Sequence, residues 1–479
     1  MKKHVLALVP LLMASAAVAE PATEDGAAHL TEVFQTYLGT TEGLVTVAAN
    51  GDAYDLTLDA APLIAMGKDA GVTGSVTPIK LSLTDNGDGT WGVSMDQAIS
   101  IAMSVPNALD LKEDVASQTF EGTFDEKLMA FSAMKGAFSG VKVVETIQTP
   151  NAAPTTATVG LDKGTFEGTG VAGAAGGADI GLTMTASGLT EAMDVSPGPG
   201  EPAMPITLKA EGLSEEIKGT GFMFDGIFKT AAWIVAHPDQ ASREADVAGF
   251  KTIITGAIPF FGNMNATGKV TMLSVETPMG TAGLQDLGFA VEANGAVAEG
   301  KVREAFTLSG LTLPAGLVPA WAEPILPKKL SLDVQVTDFD AAAGLAAALE
   351  TLGAAGGMTD ATAENQKLQA AFLPKGTVTV TLNPGSLAGD GYEVTYEGAL
   401  VAGPNTPAPT GTAKVTLTGA DKLQAALQSA PDDMKAQALG GFGMAQGMAK
   451  KDGDKLVWEI DASKPGALSV NGIPMMGGN

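Results

Sequence analysis

The 479-residue sequence has no cysteine. Disulfide staples, thiolate chemistry, cysteine-ligated metals and a lipid-modified N-terminal cysteine are therefore excluded. Histidine is nearly absent as well, and only His29 and His237 lie beyond the first 19 residues. A metal site would have to be built from oxygen ligands. Positive charge is in short supply: 28 Lys+Arg stand against 54 Asp+Glu, a formal charge of −26. That balance opposes binding to nucleic acid or to an anionic membrane face. Aromatic residues make up 5% of the chain, with 4 Trp and 4 Tyr, too few for the two girdles of a transmembrane barrel.

Long hydrophobic runs are missing too. The segment from Val5 to about Val18 is shorter than the ~20 residues that span a bilayer. Lys2 and Lys3 precede it, and Ala17, Val18 and Ala19 follow in small-x-small order before Glu20. This is the pattern of a cleaved export signal over residues 1–19, with no integral span afterwards. Loss of Lys2 and Lys3 takes the net charge from −26 to −28. The expected location is the periplasm of a Gram-negative cell envelope.

What the sequence does have is turn formers and alternation. Gly occurs 60 times and Pro 26 times within a chain that is 45% apolar, which favours many turns and thin, small-residue layers. Residues 24–38 place Leu30, Val33, Phe34 and Leu38 on one helical stripe, ended by Gly39. Period-two alternation then dominates: residues 54–60, and a hairpin of 76–84 with 90–105 around the turn Asp85–Gly89. Further strands are expected at 117–124, 141–149, 155–161, 180–187, 205–212 and 217–224. Loops are expected at 168–179 and 195–205. Residues 224–262 read as two helices separated near His237–Pro238, the second ended by Pro259.

A strand, an aspartate and then a helix recur at 54–67, 328–352 and 412–429, with Asp59 and Asp421 placed to cap the helices. A helix, a proline turn and a strand recur at 250–276 and 368–382. The expected fold is a β-rich α+β architecture: elongated, mostly antiparallel sheets with capping helices and degenerate strand-strand-helix repeats. The expected organisation is an N-terminal β-rich domain (20–225), a central helical segment (226–262) and a C-terminal β-rich domain with helices (263–479).

The residues offer little to catalysis. His29 reads as a solvated helix residue and His237 as a helix-end residue satisfying a carbonyl. No nucleophile elbow, zinc-protease helix or phosphate loop is present. Asp85 and Asp88 are the best candidates for calcium, but EF-hand spacing is missing and Asn86–Gly87 and Asp88–Gly89 account for a tight turn. No catalytic, cofactor-binding or metal residue is assigned.

The alternative to chemistry is surface. Trp233, Ile234, Phe250, Ile254 and Phe260 concentrate bulky apolar atoms in a chain otherwise poor in them. They form a candidate apolar ligand or partner surface, or else plain core. The expected function is non-catalytic binding of a lipid-like or amphipathic envelope component. An adaptor contacting another envelope protein is the second reading, and an enzyme acting on envelope polymers the third.

Residues 452–475, DGDKLVWEIDASKPGALSVNGIPM, pair a strand holding Trp458 with a strand leading to Asn471. This ending resembles the closing hairpin of an uncharacterised exported alphaproteobacterial family, domain of unknown function 2125. The passages GAIPFFGNMNATGKV (256–270) and KKLSLDVQVTDFD (328–340) resemble its central repeats. The resemblance implies a periplasmic location and an elongated β-rich fold. It carries no catalytic residues.

Overall fold

A computed structural model describes residues 21–148, 154–195, 203–352, 361–406 and 408–476. The expected export signal, 1–19, and most of the 195–205 connector lie outside these residues. The described residues are 53% strand and 24% helix, arranged as a single long open, mostly antiparallel sheet in which they form 21 strands.

Helix α1 (Glu24–Leu38) opens the chain; the Thr23 side chain accepts a hydrogen bond from the Gly26 amide at 3.0 Å. Strands β1 (Val45–Asn50) and β2 (Ala53–Leu58) follow, then the short helix α2 (Ala61–Met66), β3 (Thr73–Val76) and β4 (Ile79–Asp85). Six long strands come next: β5 (Thr90–Val105), β6 (Leu109–Asp125), β7 (Ala130–Ile147), β8 (Thr155–Ala172), β9 (Ala178–Val195) and β10 (Met204–Phe222). At 16 to 19 residues, each runs for roughly 50–60 Å. The helical excursion comprises α3 (Phe224–Ala236), α4 (Gln240–Ala245) and α5 (Val247–Ala257). It holds three helices where the sequence suggested two, because Asp246 starts a new one by accepting from the Gly249 amide at 3.0 Å.

The second half continues with β11 (Asn263–Thr277), β12 (Gly280–Asn294), β13 (Gly300–Ser309) and β14 (Lys329–Phe339), then helices α6 (Ala341–Thr351) and α7 (Ala361–Phe372). Strands β15 (Val378–Gly389), β16 (Tyr392–Ala402) and β17 (Thr410–Thr418) lead to helices α8 (Ala420–Gln428) and α9 (Asp432–Met448). The short strands β18 (Lys450–Asp452), β19 (Lys455–Asp461), β20 (Leu468–Val470) and β21 (Ile473–Met476) close it.

From β5 to β17 every strand pairs with the next in sequence. At one end β4 and β3 both lie against β5, with β2 and β1 beyond β4. At the other, β19 pairs with β17 and carries β18 and β20 on its far side. Strand β10 pairs directly with β11 across the helical excursion. The two β-rich segments on either side of 226–262 therefore share one sheet.

Several strands are longer than alternation alone suggested. Candidates 205–212 and 217–224 are one strand, β10, and 168–172 belong to β8, so that the turn shrinks to Gly173–Gly177. The reason is a slip in the apolar pattern. Along β7, Met134, Gly136 and Phe138 give way to Val141 and Val143; along β10, Ile217 and Leu213 give way to Ala210, Leu208 and Ile206. Gly140, Gly188 and Met272, each at positive φ, mark the slip on β7, β9 and β11, where the side-chain alternation turns by one position while the pairing register is kept. The slips stand in register from β6 to β11. Both segments of each strand thereby present their apolar side chains to the same face.

Asp340 caps α6, its carboxylate accepting from the Ala343 amide at 2.7 Å. Asp59 accepts from the Ala61 amide at 2.8 Å. Asp421 is a correction: the N-cap of α8 is Gly419 in the left-handed region, and Asp421 sits inside the first turn without a capping bond. Its contribution is then limited to the favourable position of a carboxylate near the positive end of the helix dipole.

Candidate functional site: an apolar trough

Directly paired residues share a face of the sheet, so one face can be followed from strand to strand. On β5 it carries Trp91, Val93, Met95, Ile99 and Ile101, with exposed Ser94, Asp96 and Ser100 on the reverse. The Trp91 row continues into Phe124 and Phe131, and the Met95 row into Phe120, Gly136, Phe166 and Met184. Across the second half the same face bears Phe289, Phe306 and Leu332 as directly paired neighbours. It reaches Tyr396, Val415 and Trp458 near the far edge.

Aromatic rings on this floor lie across glycines of the neighbouring strand. Phe138 is paired with Gly164 and Phe166 with Gly136, and a Cβ added at either glycine would overlap the facing ring. Gly268 lies under Phe289 in the same way. The missing side chain lets the ring fold down on the sheet.

Helices cover this face only in part. Ala27, Leu30 and Phe34 of α1 pack on Tyr54, Leu56, Leu83 and Val93. At the opposite edge, Leu423 and Phe442 of α8 and α9 pack on Tyr392, Leu417, Leu456 and Trp458. Between these two small cores the floor is open. Among the described residues, β5 to β14 contribute no buried apolar side chain larger than valine except Phe339. Phe289, Phe306 and Leu332 are 43%, 38% and 39% exposed. A contiguous apolar surface of this kind marks a binding or association site.

Beside α1 the trough deepens into a cavity of about 510 Å³. Its roof is Val33, Phe34 and Tyr37 of α1 with Phe228 of α3, and Tyr37 and Phe228 meet edge to face at 5.5 Å. Its floor and wall are Leu81, Leu83, Trp91, Val93, Phe124 and Phe131. The Trp91 indole donates to the Glu126 carboxylate at 2.6 Å, which fixes the ring in the wall.

The residues singled out from sequence lie next to this cavity rather than in it. The rings of Trp233 and Phe250 meet at a tilt of 46°, their centroids 4.8 Å apart, and the Trp233 indole donates to Asp246 at 2.9 Å. With the Gly249 amide, that bond holds the Asp246 carboxyl below the usual carboxylate range. The cluster joins α3 to α5; Ile234 is 49% exposed, and Ile254 and Phe260 are half-buried. The cavity residue this helix does supply is Phe228.

The His237 Nδ1–H donates to the Trp233 carbonyl, 2.8 Å away, as a helix-end residue should. Asp239 instead forms a capping box with Ser242 at the start of α4, and His29 is exposed on α1. Asp85 and Asp88 are used inside their turn, accepting from the Gly87 and Thr90 amides. Among the described residues no group of three or more acids or histidines is arranged to hold a metal ion. Nor is any helix among them long and apolar enough to cross a membrane.

The reverse face of the sheet is polar. Arg303 forks onto Asp333 at 2.9 and 2.7 Å, and Asn383 donates to the same carboxylate at 2.8 Å. These bonds, Arg303 first, hold the Asp333 carboxyl below its ordinary value and tie β13, β14 and β15 together. No family model, curated protein or solved structure matches the chain.

Proposed function

We propose that this protein is a non-catalytic periplasmic binding protein for a lipid-like amphiphile, with the acyl chain lying along the apolar trough and ending in the cavity beneath α1 and α3. The single observation that carries the reading is one largely apolar face that runs from Trp91, beneath α1, through Phe166 to Phe289, Phe306 and Leu332, broken on that path by Glu215 between Met184 and Gly268 and left exposed at Phe289, Phe306 and Leu332. Burying a flexible alkyl chain on it would remove apolar surface from water at about 25 cal/mol per Å². The small-x-small export pattern at Ala17–Ala19 and the resemblance to an exported alphaproteobacterial family support a periplasmic setting.

The test is mass spectrometry of the organic extract of protein purified from its native envelope without detergent. An acyl-chain amphiphile in near-stoichiometric amount is expected. Extract free of amphiphile, together with a tightly held polypeptide covering the trough, would replace this reading with the adaptor one.

A further inference from the structure

Resting on that reading, we infer that the hydrocarbon end held in the cavity is wider than a straight alkyl chain: it is methyl-branched or closed into a saturated ring. The floor of the cavity is laid by Leu81 and Leu83 of β4, Trp91 and Val93 of β5, Phe124 of β6 and Phe131 of β7. These are four neighbouring strands, so the cavity runs roughly 14 Å across the sheet. Spread over that length, its 510 Å³ averages roughly 36 Å² in section. A straight alkyl chain is one carbon wide and meets its neighbours at about 4 Å, which makes it a rod of roughly 15 Å² in section. One such chain leaves more than half of the section unfilled.

The walls are held apart. Ala27, Leu30 and Phe34 seat α1 on Tyr54, Leu56 and Leu83, and the edge-to-face contact of Tyr37 with Phe228 ties the far end of α1 to α3. On the floor, Phe124 and Phe131 meet edge to face at 5.5 Å, and the Trp91 indole is anchored on Glu126. Helix α1 can settle onto a narrow chain only by giving up these contacts. Otherwise every wall atom that faces the unfilled space forfeits a dispersion partner. A wider terminus fills the section and supplies those partners.

The lining calls for hydrocarbon at this end. Its one carboxylate, Glu126, is exposed to solvent and already accepts from the Trp91 indole. The remaining side chains are apolar apart from the Tyr37 hydroxyl. A polar group carried into the cavity would therefore exchange water for few partners, whereas a branch or a saturated ring adds only contact.

The test is displacement of an environment-sensitive acyl probe by three fatty acids of equal carbon number: a straight-chain acid, an iso-branched acid and an acid ending in a cyclohexyl ring, each below its micellar concentration. The three share one head group, and branching or ring closure removes apolar surface rather than adding it, so tighter binding of a wide acid reports fit and not hydrophobicity. A wide acid is expected to bind about tenfold more tightly than the straight one, and the tighter of the two wide acids identifies branch or ring. Val33→Phe fills part of the cavity from a position of α1 that is 37% exposed and tolerates the change; it should bring the ratio to within twofold. Equal binding of all three acids by the natural chain, or a preference that persists in Val33→Phe, overturns the inference and leaves the trough reading intact. Failure of all three acids to bind overturns the trough reading as well.

Discussion

Replacing Val33 and Val93 together with tryptophan is expected to weaken binding of a long-chain acyl probe at least tenfold while leaving the unfolding free energy within about 1 kcal/mol. Val33 reaches the cavity from α1 and Val93 from β5, so the two indoles enter the same 510 Å³ from opposite sides. The space they occupy is empty, and filling it need not displace a neighbour. Overpacking of a filled core, by contrast, typically costs ~1–3 kcal/mol. The measurement pairs a probe titration with urea unfolding. A stability loss of that size with unchanged probe binding would mean that α1 and α3 close an ordinary core.

The glycine floor predicts an effect opposite in sign to local propensity. Gly164 lies within β8, where valine is the better strand former, and glycine is itself destabilising by roughly 0.5–1 kcal/mol. Gly164→Val should nevertheless destabilise the protein by ~1–3 kcal/mol, because the new side chain meets the Phe138 ring. Adding Phe138→Ala removes that obstacle, so the double variant should be more stable than the sum of the two single effects by a coupling of at least ~0.5 kcal/mol. Urea unfolding of the four proteins measures it. Stabilisation by Gly164→Val alone would show that the ring does not lie across the glycine.

Much of the fold was legible because antiparallel meanders write themselves locally. The alternation of 54–60 and 90–105, the turn at Asp85–Gly89 and the helix over 24–38 all appear where the sequence places them. Strand length was harder to read. The single-residue slip between Leu213 and Ala210, or between Phe138 and Val141, resembles a strand ending; the strand runs on through it in unbroken register, and the signal that identifies it is recurrence of the same slip in successive strands. Asp421 misled because a carboxylate near a helix start satisfies the sequence pattern of a cap, whereas the φ of Gly419 decides which residue occupies that position.

The site was less legible. Density of apolar residues points to Trp233 and Phe250, which lie on two helices of one short segment and fold onto each other. The cavity instead gathers Phe34, Tyr37, Trp91, Phe124, Phe131 and Phe228 from five separate elements. Only register unites them.

The most direct measurement is quenching of tryptophan emission by acyl chains brominated near the methyl end. Trp91 stands in the cavity wall, so saturable quenching is predicted, at about one chain per protein molecule, and it should be abolished by Trp91→Phe. Quenching that never saturates, or that persists unchanged in Trp91→Phe, would contradict the account.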